Sequence, residues 1–428
     1  MSAVAVDQNL LEAAVGRLAE DGLTALRKKA LSNFGKTGFP SVRHEDWRYT
    51  NLAAAAELSN SCLSEPSPPA APGSVDIGQL TAEIDAHWIV VSNGTVIPET
   101  LSALQEAGVS ITPLSASVNS VEVHIDDPLS SFNASLLSDG LLVRIADNAK
   151  VEKPIGFLLL DDAETAAGLS QTRFIIDLGR NASAAFVELH RSSGNNAHFA
   201  NSVIQIELGT GASADYVRLQ ERGAGHLQIG RLQALLREGA TLNYTSIDVG
   251  GKLIRNDVVA TIDGAHATAN ISGIYLADGK QHIDNHILID HRVGPATSRQ
   301  NYRGIVGGRA RCVFNGKALV REGADGTDAE QSNHNLLLTD TAEIDTKPEL
   351  VIYADDVKCS HGTTVGQLDK TALFYLQSRG LTLEQAKILL TRAFAGHILR
   401  KLPLENVKKY AHQMINRKLD RLTGDSGQ

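Results

Sequence analysis

The sequence has few of the features that mark secreted, membrane or nucleic-acid-binding proteins. Its 428 residues include only three cysteines, Cys62, Cys312 and Cys359, which lie too far apart for a disulfide framework or a CxxC metal knuckle. No apolar run approaches the roughly 18 residues of a membrane span, and acidic residues near the N-terminus argue against a signal or transit peptide. The net charge of −9 argues against a phosphate-binding surface. We therefore expect a cytoplasmic protein that contacts neither membrane nor nucleic acid.

Aromatic residues are also scarce, at 5% of the chain, whereas the chain has 37 glycines. Small residues must therefore fill interior space that rings usually fill. The length allows two or three structural units.

Both ends of the chain have the spacing of helices. Apolar residues recur at intervals of three and four from Gln8 to about Phe34, and four prolines between Pro66 and Pro72 then predict a linker. We place an N-terminal helical domain at residues 1–80. Helical spacing returns after Gln367, and Thr382 has the sequence context of a helix start. We place a C-terminal helical domain at residues 367–428.

Residues 81–366 have the alternation of β-strands. Asn93-Gly94 predicts a tight hairpin near the start of this region. Alanine then recurs before successive strands, mostly at intervals of 25 to 33 residues, at positions 149, 182, 212, 240, 265, 310 and 342. Such a repeat predicts a mainly β protein built on a parallel β-helix, a solenoid in which small residues stack and bulky rings would clash. A β-sandwich with coincidental turn spacing is the alternative.

Two motifs that can carry chemistry are explained more simply by structure. Residues 209–214 fit G-x-G-x-x-A, but a strand pattern follows them where a nucleotide site needs a helix, so a repeat turn is favoured. No phosphate-binding loop is present, so any ATP hydrolysis needs another subunit. His282, His286 and His291 lie close in sequence, yet His291 takes the opposite strand face. Hydrogen-bonded histidines are therefore favoured over a metal site.

The pair Cys359 and His361 is the sharpest candidate site. At positions i and i+2 of a strand, the thiol and imidazole project to the same side. Both suit iron, zinc or a cluster, but two ligands cannot complete a site. From the residues alone, three interpretations stay open: a structural pair, an incomplete metal site and a Cys/His nucleophile.

The region around this pair closely resembles the SufB/SufD family, the scaffold subunits of the SUF iron–sulfur cluster assembly system. The resemblance lies in residues 353–369 (YADDVKCSHGTTVGQLD) and 372–380 (ALFYLQSRG), in blocks at 298–304, 313–317, 328–333 and 345–348, and in GFP and EDWRYT at 38–40 and 45–50. Gly362 follows His361 where SufB sequences carry a carboxylate. This difference disfavours a SufB identity, which is one alternative.

The resemblance implies a right-handed parallel β-helix between two helical domains and a non-catalytic scaffold function. It implies pairing with a SufB-type paralogue through the β-helix and binding of a SufC-type ABC ATPase through the C-terminal helices. By motif position, His361 is a ligand of iron or of a transient cluster at the scaffold interface, and Cys359 is a secondary candidate. Some such complexes carry a reduced flavin, for which no motif is readable here, and a homodimer is an option for the chain alone.

The solenoid alone also suits a second class of protein, the carbohydrate-active β-helix enzymes. These enzymes work through carboxylates or bound Ca²⁺ on an exposed strand face, and many are secreted. The helical ends have no part in that chemistry.

Overall fold

The computed structural model describes residues 5–65, 77–101 and 106–424. The mainly β fold is confirmed: a β-solenoid of about eight turns has helices at both ends. The expected proline-rich linker lies outside the described residues.

The described residues form nineteen strands in two sheets, and from β4 onward successive strands alternate between the two sheets. From β5 onward, odd-numbered strands pair in parallel with one another in a ten-stranded sheet, and even-numbered strands from β4 onward do so in a nine-stranded sheet. The strands are β1 (His87–Ser92), β2 (Thr95–Val96), β3 (Val109–Pro113), β4 (Leu141–Ile145), β5 (Ile155–Asp162), β6 (Gly168–Leu178), β7 (Ser183–Ser193), β8 (His198–Leu208), β9 (Ser213–Gln220), β10 (His226–Leu236), β11 (Thr241–Asp248), β12 (Leu253–Ile262), β13 (Thr268–Ala277), β14 (His282–His291), β15 (Thr297–Val306), β16 (Arg311–Val320), β17 (Asp328–Leu337), β18 (Glu343–Ile352) and β19 (Lys358–Gly366). The predicted hairpin joins β1 and β2 through Asn93-Gly94, both with positive φ.

The repeated alanines form one corner of the solenoid. Backbone N–H groups at the start of each next coil donate to the carbonyls of Ala182, Ala212, Ala240, Ala267 and Ala296. All five side chains are buried. The corner is tight and takes a small side chain, which in the last coil is Thr327 instead of alanine.

Three of the predicted alanine positions were assigned to this corner wrongly. Ala265 is partly exposed, and Ala267 takes the place expected of it. Ala310 and Ala342 precede β16 and β18 and therefore belong to the nine-stranded sheet. The 45-residue interval came from mixing the corners of two sheets.

The expectation that rings would clash in the interior was also wrong. Phe157, Phe186, Tyr216 and Tyr244 stack along the solenoid axis, with successive ring centroids 6.4, 6.0 and 5.9 Å apart. Parallel strands that pair in register place equivalent residues about 4.8 Å apart, a spacing at which flat rings stack with a small offset.

Glycines inside strands make room for further rings. A Cβ atom on Gly273 would lie 2.2 Å from the ring of Tyr302, and one on Gly304 would lie 2.3 Å from the ring of Tyr275. Part of the glycine surplus thus accommodates aromatic side chains in the interior.

Seven helices lie in the described residues before β4. They are α1 (Gln8–Gly16), α2 (Thr24–Thr37), α3 (Ala53–Ser64), α4 (Ile77–Ala82), α5 (Pro98–Leu101), α6 (Leu114–Ser117) and α7 (Pro128–Leu136), with 3₁₀ turns at Glu45–Trp47 and Val118–Ser120. Buried side chains of α1 to α3 and α7 cover the early strands of the nine-stranded sheet, whereas α4 packs beside β1 of the ten-stranded sheet. The sequence interpretation missed α5 to α7, which interrupt the region assigned to strands. Asp127 caps α7, and the buried guanidinium of Arg173 donates to Asn133 Oδ1 and to the carbonyl of Ser130, fixing α7 to the sheet.

Three helices follow the solenoid: α8 (Lys370–Ser378), α9 (Leu383–Leu399) and α10 (Glu405–Gly424). Thr382 begins α9 as expected, in a capping box with Gln385. Buried side chains of α9 and α10, among them Ile398 and Ile415, pack on the outer face of the ten-stranded sheet. In the described parts of the chain, no helix is long and apolar enough to cross a membrane.

A segment at residues 45–50, the N-terminal strap, crosses the outer face of the nine-stranded sheet. Trp47 stacks on Arg255 of β12, with the guanidinium carbon 3.7 Å from the ring centroid. Thr50 donates to Asp284 of β14 at 2.5 Å, and Glu45 pairs with Lys347 of β18 at 2.7 Å. One short segment therefore contacts coils from the middle of the solenoid to its last turn.

Candidate metal centre at the open end of the solenoid

The solenoid ends in two edge strands. β19 is the terminal strand of the ten-stranded sheet and β18 that of the nine-stranded sheet. Each therefore presents an unpaired backbone edge, and the interior of the last coil is uncovered at this end. We call the surface formed by the inward-facing residues of β18 and β19 the open end.

Strand register shows which side chains face the open end. Cys359 and His361 pair directly with Ala329 and Gln331 of β17, both buried in the interior. Because paired residues on neighbouring strands point to the same face, Cys359 and His361 also point inward, as the spacing predicts. Cys359 is half-buried and His361 is exposed, since no further coil lies above them.

Apolar side chains lie on the same surface as this pair. Leu350 and Ile352 of β18 continue the buried positions Ala318 and Val320 of β16, and Val365 lies at the end of β19. Ile352 and Val365 are exposed. The open end is thus an uncovered cross-section of the core.

Below the C-terminal half of β19, the layer under the open end is a polar network that crosses the coil. Asn335 Nδ2 donates to Asn333 Oδ1 at 2.6 Å, and Thr346 of β18 donates to the same oxygen at 2.8 Å. Tyr275 OH donates to Asn335 Oδ1 at 2.6 Å. These bonds tie β13, β17 and β18 together.

The donor set fits part of a metal site but not a whole one. An imidazole and a thiol are borderline and soft ligands that suit iron or a cluster. Burial raises the pKa of the Cys359 thiol, so this cysteine is a poorer ligand than a thiolate until a metal or a partner deprotonates it. No group of three or more His, Cys, Asp or Glu side chains suited to a metal occurs among residues 5–65, 77–101 and 106–424.

Each histidine of the other cluster has its own polar partner. His282 contacts the Thr50 hydroxyl at 2.8 Å, and His286 pairs with Asp284 at 3.0 Å on the outer face of β14. His291 lies buried on the opposite, interior face, as its spacing predicts, and contacts the Ser298 hydroxyl at 2.9 Å.

The glycine motif is a turn of the repeat, as expected. It joins β8 to β9, and Gly211 has a φ of 69°. Cys62 and Cys312 lie apart from the open end, in α3 and inside β16. Neither contributes to the candidate site.

Comparison with known proteins identifies the family. The family model described as "SUF system FeS cluster assembly, SufBD core domain" matches residues 160–394, more than half of the chain, and "SufBD protein N-terminal region" matches residues 12–157. The chain belongs to the SufBD family. The core-domain match includes both Cys359 and His361, so the open end is part of the SufBD core.

Similarity to individual SufBD proteins extends over nearly the whole chain. The iron–sulfur cluster assembly protein SufD of Escherichia coli is 29% identical over 90% of this chain and 90% of its own. A SufBD family protein of Synechocystis is 30% identical over 96% and 94%, and Protein ABCI7, chloroplastic, of Arabidopsis thaliana is 26% identical over 92% and 85%. The chain is therefore a SufBD-type scaffold of iron–sulfur cluster assembly, and the alternative of a carbohydrate-active enzyme is set aside.

Sequence reasoning named the two candidate ligands but missed what supports them. The inward-facing residues of β18 and the glutamine below His361 were not identified. A signal for the glutamine exists, since Gln300, Gln331 and His361 follow one another at 31 and 30 residues, the length of one coil.

Proposed function

We propose that this SufBD protein pairs with a SufB-type scaffold through its open end and that His361 contributes a ligand to iron or to a nascent cluster at that interface. Cys359 is a second candidate ligand. The observation that carries the proposal is an incomplete donor pair at the centre of an uncovered core cross-section. Iron or the cluster is cargo that the chain passes on, and the chain itself catalyses no reaction.

Physical chemistry favours a second solenoid as the occupant of the open end. An uncovered core section exposes apolar side chains and unpaired strand edges. The end of a second β-solenoid can cover both. A homodimer of this chain through the same surface is expected when the partner is missing.

The C-terminal helices support a second partner surface, which we assign to a SufC-type ABC ATPase. Phe374 and Tyr375 of α8 are 74% and 57% exposed, and Leu383 and Leu389 of α9 are exposed as well. Such a cluster of large apolar side chains on a helical surface is typical of a protein contact. ATP hydrolysis then belongs to this partner, which agrees with the missing phosphate-binding loop.

In this proposal the chain works as three parts in the cytoplasm: helices at 1–80, the solenoid at 81–366, and the ATPase-binding helices at 367–428. The three cysteines are free thiols, as in a reducing compartment. A reduced flavin belongs, in this view, to the assembled complex, and we assign no residue of this chain to it.

Copurification with two matched variants tests the two surfaces separately. Tagged chain is coexpressed with its SufB-type and SufC-type partners. An Ile352→Asp and Val365→Asp double variant is expected to lose the SufB-type scaffold and keep the ATPase, because the two aspartates add charge at the open end alone. Phe374→Asp is expected to do the reverse. If wild-type chain retains neither partner, or if both variants lose the same one, the assignment of surfaces is wrong.

The role of His361 is tested by substitution within the intact complex. His361→Ala is expected to leave folding and copurification unchanged and to impair iron–sulfur enzymes in cells. Ser360→Ala is the matched control, because this exposed neighbour lies on the opposite face of β19. Cys359→Ser measures the contribution of the thiol in the same assay. Normal iron–sulfur enzymes with His361→Ala would remove this residue from the mechanism.

A further inference from the structure

A short ladder of glutamines leads up to His361. Gln300 of β15 pairs with Gln331 of β17, which in turn pairs with His361 of β19, so the three side chains occupy one inward-facing lane. Both glutamines are 2% exposed. Each donates its Nε2 across the interior to a backbone carbonyl of the other sheet, Gln300 to Lys317 at 3.2 Å and Gln331 to Glu349 at 3.3 Å. The same side-chain bond is thus made twice, one coil apart.

The carbonyl oxygen at the top of this ladder has no partner. Oε1 of Gln331 is buried and accepts no hydrogen bond from any residue that the structure describes, and the same holds for Oε1 of Gln300 one coil below. In stacked amide ladders, donors of the next layer bond the carbonyl below. Gln331 does not do this for Gln300, because its Nε2 donates to Glu349 instead. The next layer above Gln331 contains His361 at the paired position, about 4.8 Å away along the sheet. An imidazole turned toward the coil brings an N–H donor to this oxygen.

We propose that His361 donates its inner ring N–H to Oε1 of Gln331, and that Gln331 thereby positions His361 as a ligand. A neutral imidazole has one N–H and one nitrogen lone pair. Once the N–H is bonded to a carbonyl inside the coil, the tautomer is fixed and the lone pair points out of the open end. Gln331 itself touches no cargo and is a positioning residue. The inference rests on the proposed function in one respect only: that function supplies the iron or cluster to which the outward lone pair would bind.

Histidine tautomers in the full-length chain test the bond without iron or partner. The chain is labelled with ¹⁵N-histidine, the His361 signals are assigned by their loss in His361→Gln, and two-bond ¹H–¹⁵N couplings in alkaline buffer report the tautomer. A hydrogen bond of ordinary net strength biases the tautomers by roughly fivefold. Wild type and Gln331→Glu, which keeps an acceptor, should show this bias, and Gln331→Leu should lose it.

Gln300→Leu is the matched control, because it removes an equally buried glutamine with the same cross-coil bond but leaves Oε1 of Gln331 in place. It should keep the wild-type tautomer. If Gln331→Leu does not fold, Gln331→Asn, which withdraws the amide by one methylene, replaces it. Unchanged tautomer populations in the folded Gln331 variant would overturn the proposal.

The outcome is distinguishable from failure of the proposed function. If the tautomer depends on Gln331 but His361→Ala leaves iron–sulfur enzymes normal, the positioning bond stands and the ligand role fails. If His361 is needed in cells but its tautomer ignores Gln331, the ligand role stands and the positioning bond is wrong.

Discussion

The interior of the solenoid holds an ion pair whose removal should be strongly destabilising. Asp161 and Arg222 are 2% and 3% exposed, and Nε of Arg222 lies 2.5 Å from Oδ2 of Asp161. The guanidinium also contacts Nδ1 of His190 at 2.5 Å and the side-chain oxygen of Gln228. Residues from three coils therefore meet at one buried cation.

Arg222→Met should lower the free energy of unfolding by about 3–5 kcal/mol at pH 7, the usual loss when one partner of a buried pair is removed. The magnitude is large because Asp161 then stays buried without a cationic guanidinium, beside His198 at 3.3 Å and the Ser170 hydroxyl, which donates to Oδ1 at 3.1 Å. Urea unfolding followed by circular dichroism measures the loss. The double variant Asp161→Leu with Arg222→Met should recover most of it, since no buried charge remains unpaired.

The loss of unfolding free energy caused by Arg222→Met should become smaller as the pH falls. Burial alone would raise the pKa of Asp161, but the neighbouring Arg222 cation holds it below its usual value of 3.8. The wild-type pair thus contributes fully above about pH 4 and loses its contribution only as pH falls through the lowered pKa. Without Arg222, burial raises this pKa, so the variant gains relative stability at a higher pH than the wild type does as Asp161 takes up a proton.

The exposed pair Arg180–Asp147 is the control for this prediction. It also joins neighbouring coils, at 2.8 Å, but both side chains are largely in solvent. Arg180→Met should change stability far less, because water screens such pairs. Equal losses for Arg222→Met and Arg180→Met, or a loss for Arg222→Met that does not depend on pH, would refute the reasoning.

Two further substitutions test the interior packing by the same unfolding assay. Tyr216→Phe should cost about 1–3 kcal/mol, because Glu188 Oε2 loses the hydroxyl that donates to it at 2.8 Å; an unchanged midpoint would show that Glu188 finds another donor. Gly273→Ala should cost about 1–3 kcal/mol by overpacking, since its Cβ would lie 2.2 Å from the Tyr302 ring. Gly16→Ala in α1, where nothing lies within 4 Å, should be neutral or slightly stabilising, and an equal loss there would contradict a packing cause.

The alternation of strands and the recurrence of alanine were enough to predict a solenoid, because the same corner is built in each coil. They did not separate the two sheets, since both have similar turns, and Ala310 was therefore counted in one repeat with alanines that precede strands of the other sheet. Phe186, Tyr216 and Tyr244 recur at the same position of the repeat, but their stacking was not predicted from the sequence. Rings were expected to clash, although neighbouring coils lie far enough apart for flat rings to stack.

For the site, the i and i+2 spacing of Cys359 and His361 correctly placed both side chains on one face. Spacing could not show that this face is the uncovered interior of the last coil, because that follows from β19 having no neighbour beyond it. Gln331 is likewise found only through strand register. Helix α7 was missed because its burial depends on Arg173, about 40 residues away in the sequence.

Hydrogen–deuterium exchange of β19 (Lys358–Gly366) tests most directly that the open end is where a second scaffold docks. The exchange rates are compared for the chain alone and in complex with a SufB-type partner. The outer edge of β19 is unpaired in the chain alone, so its solvent-facing amides should exchange fast and become strongly protected in the complex. Unchanged exchange in β19, with protection elsewhere on the solenoid, would contradict the account.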